Sequence, residues 1–247
     1  NVCLKKHING KKMGNITSLT SALQLVNNFN KINNINNINN NNYNFIKLTD
    51  GYLNEKNGLI FGKNCLINGM GIDKTIIEIN ITETTNLILS SNTILKDITF
   101  IIVISINENI QEYYNEYGDK INCIIGDNNC QFKNVKFIFK MKHDNIENLN
   151  NIKIKGFNFN NSNYKFEKCS FHFENNSLLT NYNNYFTLFN NNNCDININE
   201  CIFNKLENSI IFHNNNSNID IENTDFLIKN VNCLNIDNND TSYKTTL

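Results

Sequence analysis

The hydrophobic residues change period once along this chain. In Ile16–Val26, the residues Leu19, Ala22, Leu23 and Val26 recur at spacings of three and four, which puts them on one face of a helix. Thr17 or Ser18 supplies an N-cap, because either side-chain oxygen can accept from an orphan amide of the first turn. The reading predicts a helix over 16–26. The Asn/Ile tract 27–44 reads as a low-complexity insertion to which no structure is assigned. From Phe45 onward the period falls to two. Short β-branched and aromatic runs alternate with Asn-rich turns, and helical patterns stop.

The β-rich part repeats. Ile72, Phe100, Phe137, Phe171, Phe203 and Phe226 can be aligned as position zero. Position −2 then holds Met70, Ile98, Val135, Cys169, Cys201 and Thr224, and position −5 holds Ile67, Leu95, Phe132, Phe166, Ile198 and Ile221. Position −7 holds Cys65, Thr93, Cys130, Tyr164, Ile196 and Ile219. Positions −7 and −5 alternate inward on one strand, and −2 and zero on the next. The parity change between them demands a bend at −4/−3. Asn68-Gly69, Lys96-Asp97, Lys133-Asn134, Glu167-Lys168, Asn199-Glu200 and Glu222-Asn223 stand there, and Gly, Asn and Asp tolerate a left-handed backbone. Position −8 holds Asn64, Asn92, Asn129, Asn163, Asp195 and Asn218, a candidate side-chain ladder between stacked coils. Runs such as Phe186–Phe189 and Ser209–Phe212 offer a third strand per coil.

The pattern predicts one all-β domain over 1–247, a parallel β-helix (solenoid) with coils over 45–236 and a tail over 237–247. The zero positions lie 28, 37, 34, 32 and 23 residues apart. A coil needs about 20, so the excess predicts loops at 107–121, 141–154 and 174–185, all leaving one side of the solenoid. A β-sandwich would not produce in-register columns, and the Leu spacing of leucine-rich repeats is missing.

The N-terminal third carries a resemblance. Ile16-Thr-Ser-Leu-Thr-Ser-Ala-Leu23, Ile46-Lys-Leu-Thr-Asp-Gly-Tyr52, Leu59-Ile-Phe61 and Asn68-Gly-Met-Gly-Ile-Asp-Lys-Thr-Ile-Ile77 resemble the opening of pectin-lyase-like proteins. The resemblance implies a right-handed parallel β-helix with a short N-terminal capping α-helix. That superfamily mixes polysaccharide lyases, hydrolases and esterases with noncatalytic adhesins, so it does not settle function. Gly69-x-Gly71 lacks the third Gly and the following helix of a nucleotide loop and reads as a tight turn.

Composition narrows the chemistry. The chain has 247 residues, a formal charge of −1, no Pro and no Trp. Its 22 basic residues are all Lys. Near-neutral charge gives no footprint for nucleic acid or an anionic membrane surface, and no apolar run is long enough to span a bilayer. The excess of Asn, Ile and Lys is explained by AT-rich coding. The chain opens on Asn1, which points to a processed product or a fragment. Eight Cys without metal-type spacing leave disulfides or small core residues open, with Cys123/Cys130 and Cys194/Cys201 nearest for local closure. Extracellular, cell-surface or virion-surface placement is the expectation.

Without Arg, no pectate-lyase or methylesterase site is recognisable, because Lys cannot reproduce the bidentate fork. Asn223-Thr-Asp225 matches one polygalacturonase tripeptide, but its companion motifs are missing. Glu112, Tyr113, Tyr114, Glu116, Tyr117 and Asp119 cluster in one loop, a composition suited to stacking on and hydrogen-bonding a sugar. Asp195, Asp220 and Asp225 fall close together if the last coils stack, and Ca²⁺ accepts such ligands; no other cofactor is implied. The four His, among them His172 and His213, show no nucleophile partner. The reading therefore leans to a noncatalytic secreted or surface module contacting a glycan or a protein partner, with a homo-oligomer compatible. A carbohydrate-active lyase or hydrolase working along one sheet face is the alternative, and a scaffold role the third.

Overall fold

The computed structural model describes residues 4–8, 11–16, 18–35, 43–56, 58–106, 120–143, 153–174, 186–204, 209–227 and 234–236. The chain opens with β1 (Leu4–Ile8) and β2 (Lys11–Ile16), an antiparallel pair absent from the sequence reading, and α1 (Leu19–Ile35). Next come β3 (Asn44–Lys47), β4 (Gly51–Glu55), β5 (Ile60–Phe61), β6 (Cys65–Asn68), β7 (Thr75–Ile81), β8 (Leu87–Leu89) and β9 (Ile94–Ile106). The middle holds β10 (Lys120–Gly126), β11 (Cys130–His143), β12 (Lys153–Asn160), β13 (Asn163–Glu167) and β14 (Ser170–Glu174). The last are β15 (Phe186–Asn192), β16 (Asp195–Asn199), β17 (Ile202–Asn204), β18 (Ser209–Asn215), β19 (Asn218–Glu222), β20 (Asp225–Leu227) and β21 (Leu234–Ile236).

The described chain is thus nearly all β, with one helix; the named strands from β3 onward pair with one another in parallel, and β3 also pairs antiparallel with β1. The strands divide into a 14-stranded and a 7-stranded sheet. β3, β6, β9, β11, β13, β16 and β19 lie side by side in the larger sheet, and β5, β8, β10, β12, β15, β18 and β21 in the smaller. From β9 onward the register equals the sequence alignment: Phe132 pairs with Leu95 and Phe166, Phe137 with Phe100 and Phe171, and Phe203 with Phe226. In the first repeat it does not: Phe100 pairs with Ile77 instead of Ile72, and Met70, aligned as inward, is exposed, because residues 70–74 turn between β6 and β7 and shift the next strand by five positions.

The helix differs from the expectation of 16–26. Ile16 ends β2, and α1 runs on to Ile35 through half of the Asn tract. The Asn residues that made this stretch read as unstructured are weak helix formers, yet the helix continues through them. Ser18 caps the helix: its Oγ accepts from the Ser21 amide at 3.1 Å. A second cap comes from the chain's far side. The buried Glu55 carboxylate accepts from the Leu19 amide and from the Thr20 hydroxyl, each at 2.6 Å. Negative charge at this helix end is favourable.

The parity break is where the backbone bends. Asp97, Asn134, Lys168, Glu200 and Asn223, all at position −3, adopt positive φ between 48° and 56°. Lys168 and Glu200 hold this conformation against a cost of roughly 1–2 kcal/mol each, as in-register copies of their neighbours. Gly69 fills the position in the first repeat for another reason. A Cβ there would lie 2.2 Å from the Asp97 carbonyl oxygen.

The inward columns make one core. Position-zero rings stack as Phe100–Phe137–Phe171–Phe203–Phe226, with centroids 4.7 to 5.8 Å apart. Phe157 and Phe189 of the smaller sheet stack at 4.9 Å and meet the Phe137, Phe166 and Phe171 edges. Cys65, Cys123, Cys130, Cys169, Cys194 and Cys201 are buried as free thiols. Neither Cys123/Cys130 nor Cys194/Cys201 is joined, and the core reading of these residues holds among the described ones.

Candidate functional site

The two edges of a repeat use different turns, and this shapes the outer surface of the larger sheet. Between the smaller and larger sheets the first repeats bend at Asn64, Asn92 and Asn129, with φ from 52° to 60°. The later ones bend two residues earlier in the alignment, at Asn161, Asn193 and Asn216, with φ from 49° to 52°. The expected position −8 ladder is therefore split. Asn92 donates to Asn64 at 2.8 Å, and Asn218 donates to Asp195 at 2.9 Å. Asn129 bonds through its backbone amide to Ser162 Oγ instead. In the later repeats the turn residues form their own ladder, Asn216 to Asn193 at 2.7 Å and Asn193 to Asn161 at 3.1 Å.

Beside these turns an open groove of about 950 Å³ crosses β11, β13, β16 and β19. One wall is the position −8 column with Asn163, Asp195 and Asn218. The other is the outward residue between −7 and −5, which reads Gln131, Lys165, Asn197, Asp220 down the strands. Asn197 donates to the Asp220 carboxylate at 3.3 Å. At the margin Lys133 donates to Glu167 at 2.7 Å. That bond holds the Glu167 carboxyl below its usual range and raises the Lys133 ammonium.

The groove presents amides, two carboxylates and one ammonium at the spacing of neighbouring strands. Amides offer a donor and an acceptor on one group, the complement of a hydroxyl. The residues between the two columns point inward, and burial pushes the Cys130 thiol up to about 12. Burial also raises the Tyr164 phenol, whose hydroxyl donates to the Gly126 carbonyl at 3.0 Å. On the smaller sheet the outward column is Asn158, Asn190 and His213, joined by bonds of 2.8 and 3.1 Å. The described outward positions of that sheet carry no carboxylate.

Asp195 and Asp220 share the groove, but Asp225 stands on β20 outside it. Among the described residues no group of three or more His, Cys, Asp or Glu converges, so the three-carboxylate Ca²⁺ site is not assembled. Asn223 and Thr224 of the polygalacturonase-like tripeptide serve the bend: Asn223 has positive φ, and Thr224 Oγ1 accepts from the Cys201 amide at 3.2 Å. Gly71 accepts the Lys74 and Thr75 amides in a tight turn, as its sequence implies. Glu112, Tyr113, Tyr114, Glu116, Tyr117 and Asp119 lie outside the described residues. The strands before the three expected loops, β9, β11 and β14, are neighbours, and so are the strands after them, β10, β12 and β15. No described helix is long and apolar enough to cross a membrane.

No protein-family model matches the chain, and no curated protein does. Among solved structures it is similar to a Parabacteroides merdae protein provisionally assigned as a glycosyl hydrolase. The two share 9% identity over 87% of this chain and 93% of that one, with a TM-score of 0.36. At that score the likeness carries no argument about activity.

Proposed function

We propose that the chain is a right-handed parallel β-helix of the pectin-lyase-like kind that serves as a noncatalytic secreted or surface module and holds a glycan in the groove across β11, β13, β16 and β19. The observation that carries the reading is the groove's lining: two outward columns of amides with Lys165, Asp195 and Asp220. Such a surface can satisfy sugar hydroxyls through its amides. The in-register columns and bends at −3 support the solenoid.

The test pairs calorimetry with product analysis on a panel of soluble polysaccharides. Binding that weakens about tenfold in Lys165→Ala, the loss of one charge-assisted hydrogen bond, with polymers intact, supports the proposal. New chain ends would overturn it. They would favour the second reading, in which Asp195 and Asp220, two carboxylates on one face of adjacent strands, act as a hydrolytic pair.

A further inference from the structure

Six buried thiols are described, and the register sorts them. Cys65 and Cys130 share the −7 column but are separated by Thr93. Cys194 lies between Ser162 and Ser217, and Cys123 has Gly156 beside it. Cys169 and Cys201 alone among them occupy the same column on adjacent repeats, between the pairs Glu167↔Asn199 and Ser170↔Ile202. The Cys169 amide donates to the Cys201 sulfur at 3.4 Å. The flanking strand pairs set Cα atoms about 4.8 Å apart, inside the range of about 4.4–6.8 Å that a disulfide spans, and the two Cys stand in the bend between those pairs, where closing the bond needs Cβ atoms about 3.5–4.5 Å apart.

We propose that Cys169 and Cys201 are a disulfide site: in an oxidising thiol–disulfide milieu they cross-link the repeat of β13–β14 to that of β16–β17. The co-reactant is a low-molecular-weight disulfide. The Cys201 thiolate attacks one of its sulfurs, that S–S bond breaks, and the first small thiolate leaves. The Cys169 thiolate then attacks the Cys201 sulfur and expels the second. The protein dithiol loses two electrons and two protons, and the small disulfide becomes two thiols. The geometry does not order the two attacks, and the same balance holds with the roles of Cys169 and Cys201 exchanged. Both side chains are 1% exposed, so exchange occurs while the two repeats are still closing or are locally open. The site would make stability depend on compartment, with thiols in a reducing one and a staple in an oxidising one.

The test is to refold the whole reduced chain in a mixture of reduced and oxidised glutathione, block residual thiols with an alkylating reagent, and digest with a glutamyl endopeptidase. Cleavage after Glu167, Glu174, Glu200 and Glu207 isolates Cys169 in 168–174 and Cys201 in 201–207, with Cys194 in a third fragment. The expected result is 168–174 joined to 201–207 as the dominant cross-link, lost in Cys169→Ser and in Cys201→Ser. A dominant link from Cys201 to Cys194, or both target thiols alkylated in folded chain, would overturn the proposal. The wild-type map decides the matter even if a variant fails to fold.

Discussion

Phe157 sits where the two sheets meet, and truncating it should cost more than any other single ring. Its side chain is fully buried. It stacks on Phe189 at 4.9 Å and meets Phe137 at 5.0 Å, Phe159 at 5.4 Å and Phe166 at 5.5 Å. These neighbours belong to strands fixed by their own ladders, so they cannot collapse into the space left by Phe157→Ala. Phe→Ala in a core costs about 3–5 kcal/mol, and poor relaxation puts this site in the upper half, about 4–5 kcal/mol. Phe226 is the control, at 41% exposed and, among the described rings, stacked on Phe203 alone. One aromatic pair is worth about 0.5–1.5 kcal/mol, so Phe226→Ala should cost no more than about 2 kcal/mol including partial burial. Urea unfolding followed by circular dichroism, with equal m-values in the three proteins, measures both. A cost below about 2 kcal/mol for Phe157→Ala, or equal costs at the two sites, would refute the claim that enclosure on both sheets sets the energy. Phe157→Leu, which keeps most of the volume, should retain the fold at about 1–2 kcal/mol.

Gly126→Ala should destabilise by about 1–3 kcal/mol through overpacking. Its Cβ would lie 2.7 Å from both the Phe159 and Tyr164 rings, themselves stacked at 3.6 Å; an unchanged melting midpoint would show that the rings yield freely. Glu55→Gln removes the charge from the bonds to Leu19 and Thr20 and should cost about 1–2 kcal/mol, seen as loss of helical signal ahead of the β transition. Asp127 has its carboxyl held below the usual range, chiefly by the hydrogen bond from Ser91 at 2.7 Å. A lowered folded pKa means the contribution is present above the ordinary carboxylate range and lost as pH falls through the folded value. Ser91→Ala should therefore narrow the stability gap between neutral and acidic pH, and an unaltered pH profile would count against the bond.

The strand columns were legible before any folding. A period of two with a parity break at −4/−3 is local information. Hydrophobic alternation and the left-handed tolerance of Asn, Asp and Gly act within a few residues, so Phe132, Phe137 and Phe166 were legible as core and Asn134 as a bend. Lys168 and Glu200 share that bend against their own preference, and alignment alone exposed them. The tertiary structure decided what depends on partners far along the chain. Glu55 caps a helix 36 residues before it, and β1 pairs with β2 and β3 at an end with no repeat to align. The shift of the turn from Asn129 to Asn161 is invisible in a chain where Asn stands at most turns. The same background hides the groove. Gln131, Lys165, Asn197 and Asp220 are ordinary outward residues in sequence, and stacking in register makes them one wall. Cys169 and Cys201, 32 residues apart, already share position −2 in the sequence alignment, and what stacking adds is the contact itself: a parallel ladder brings together residues separated by a whole repeat.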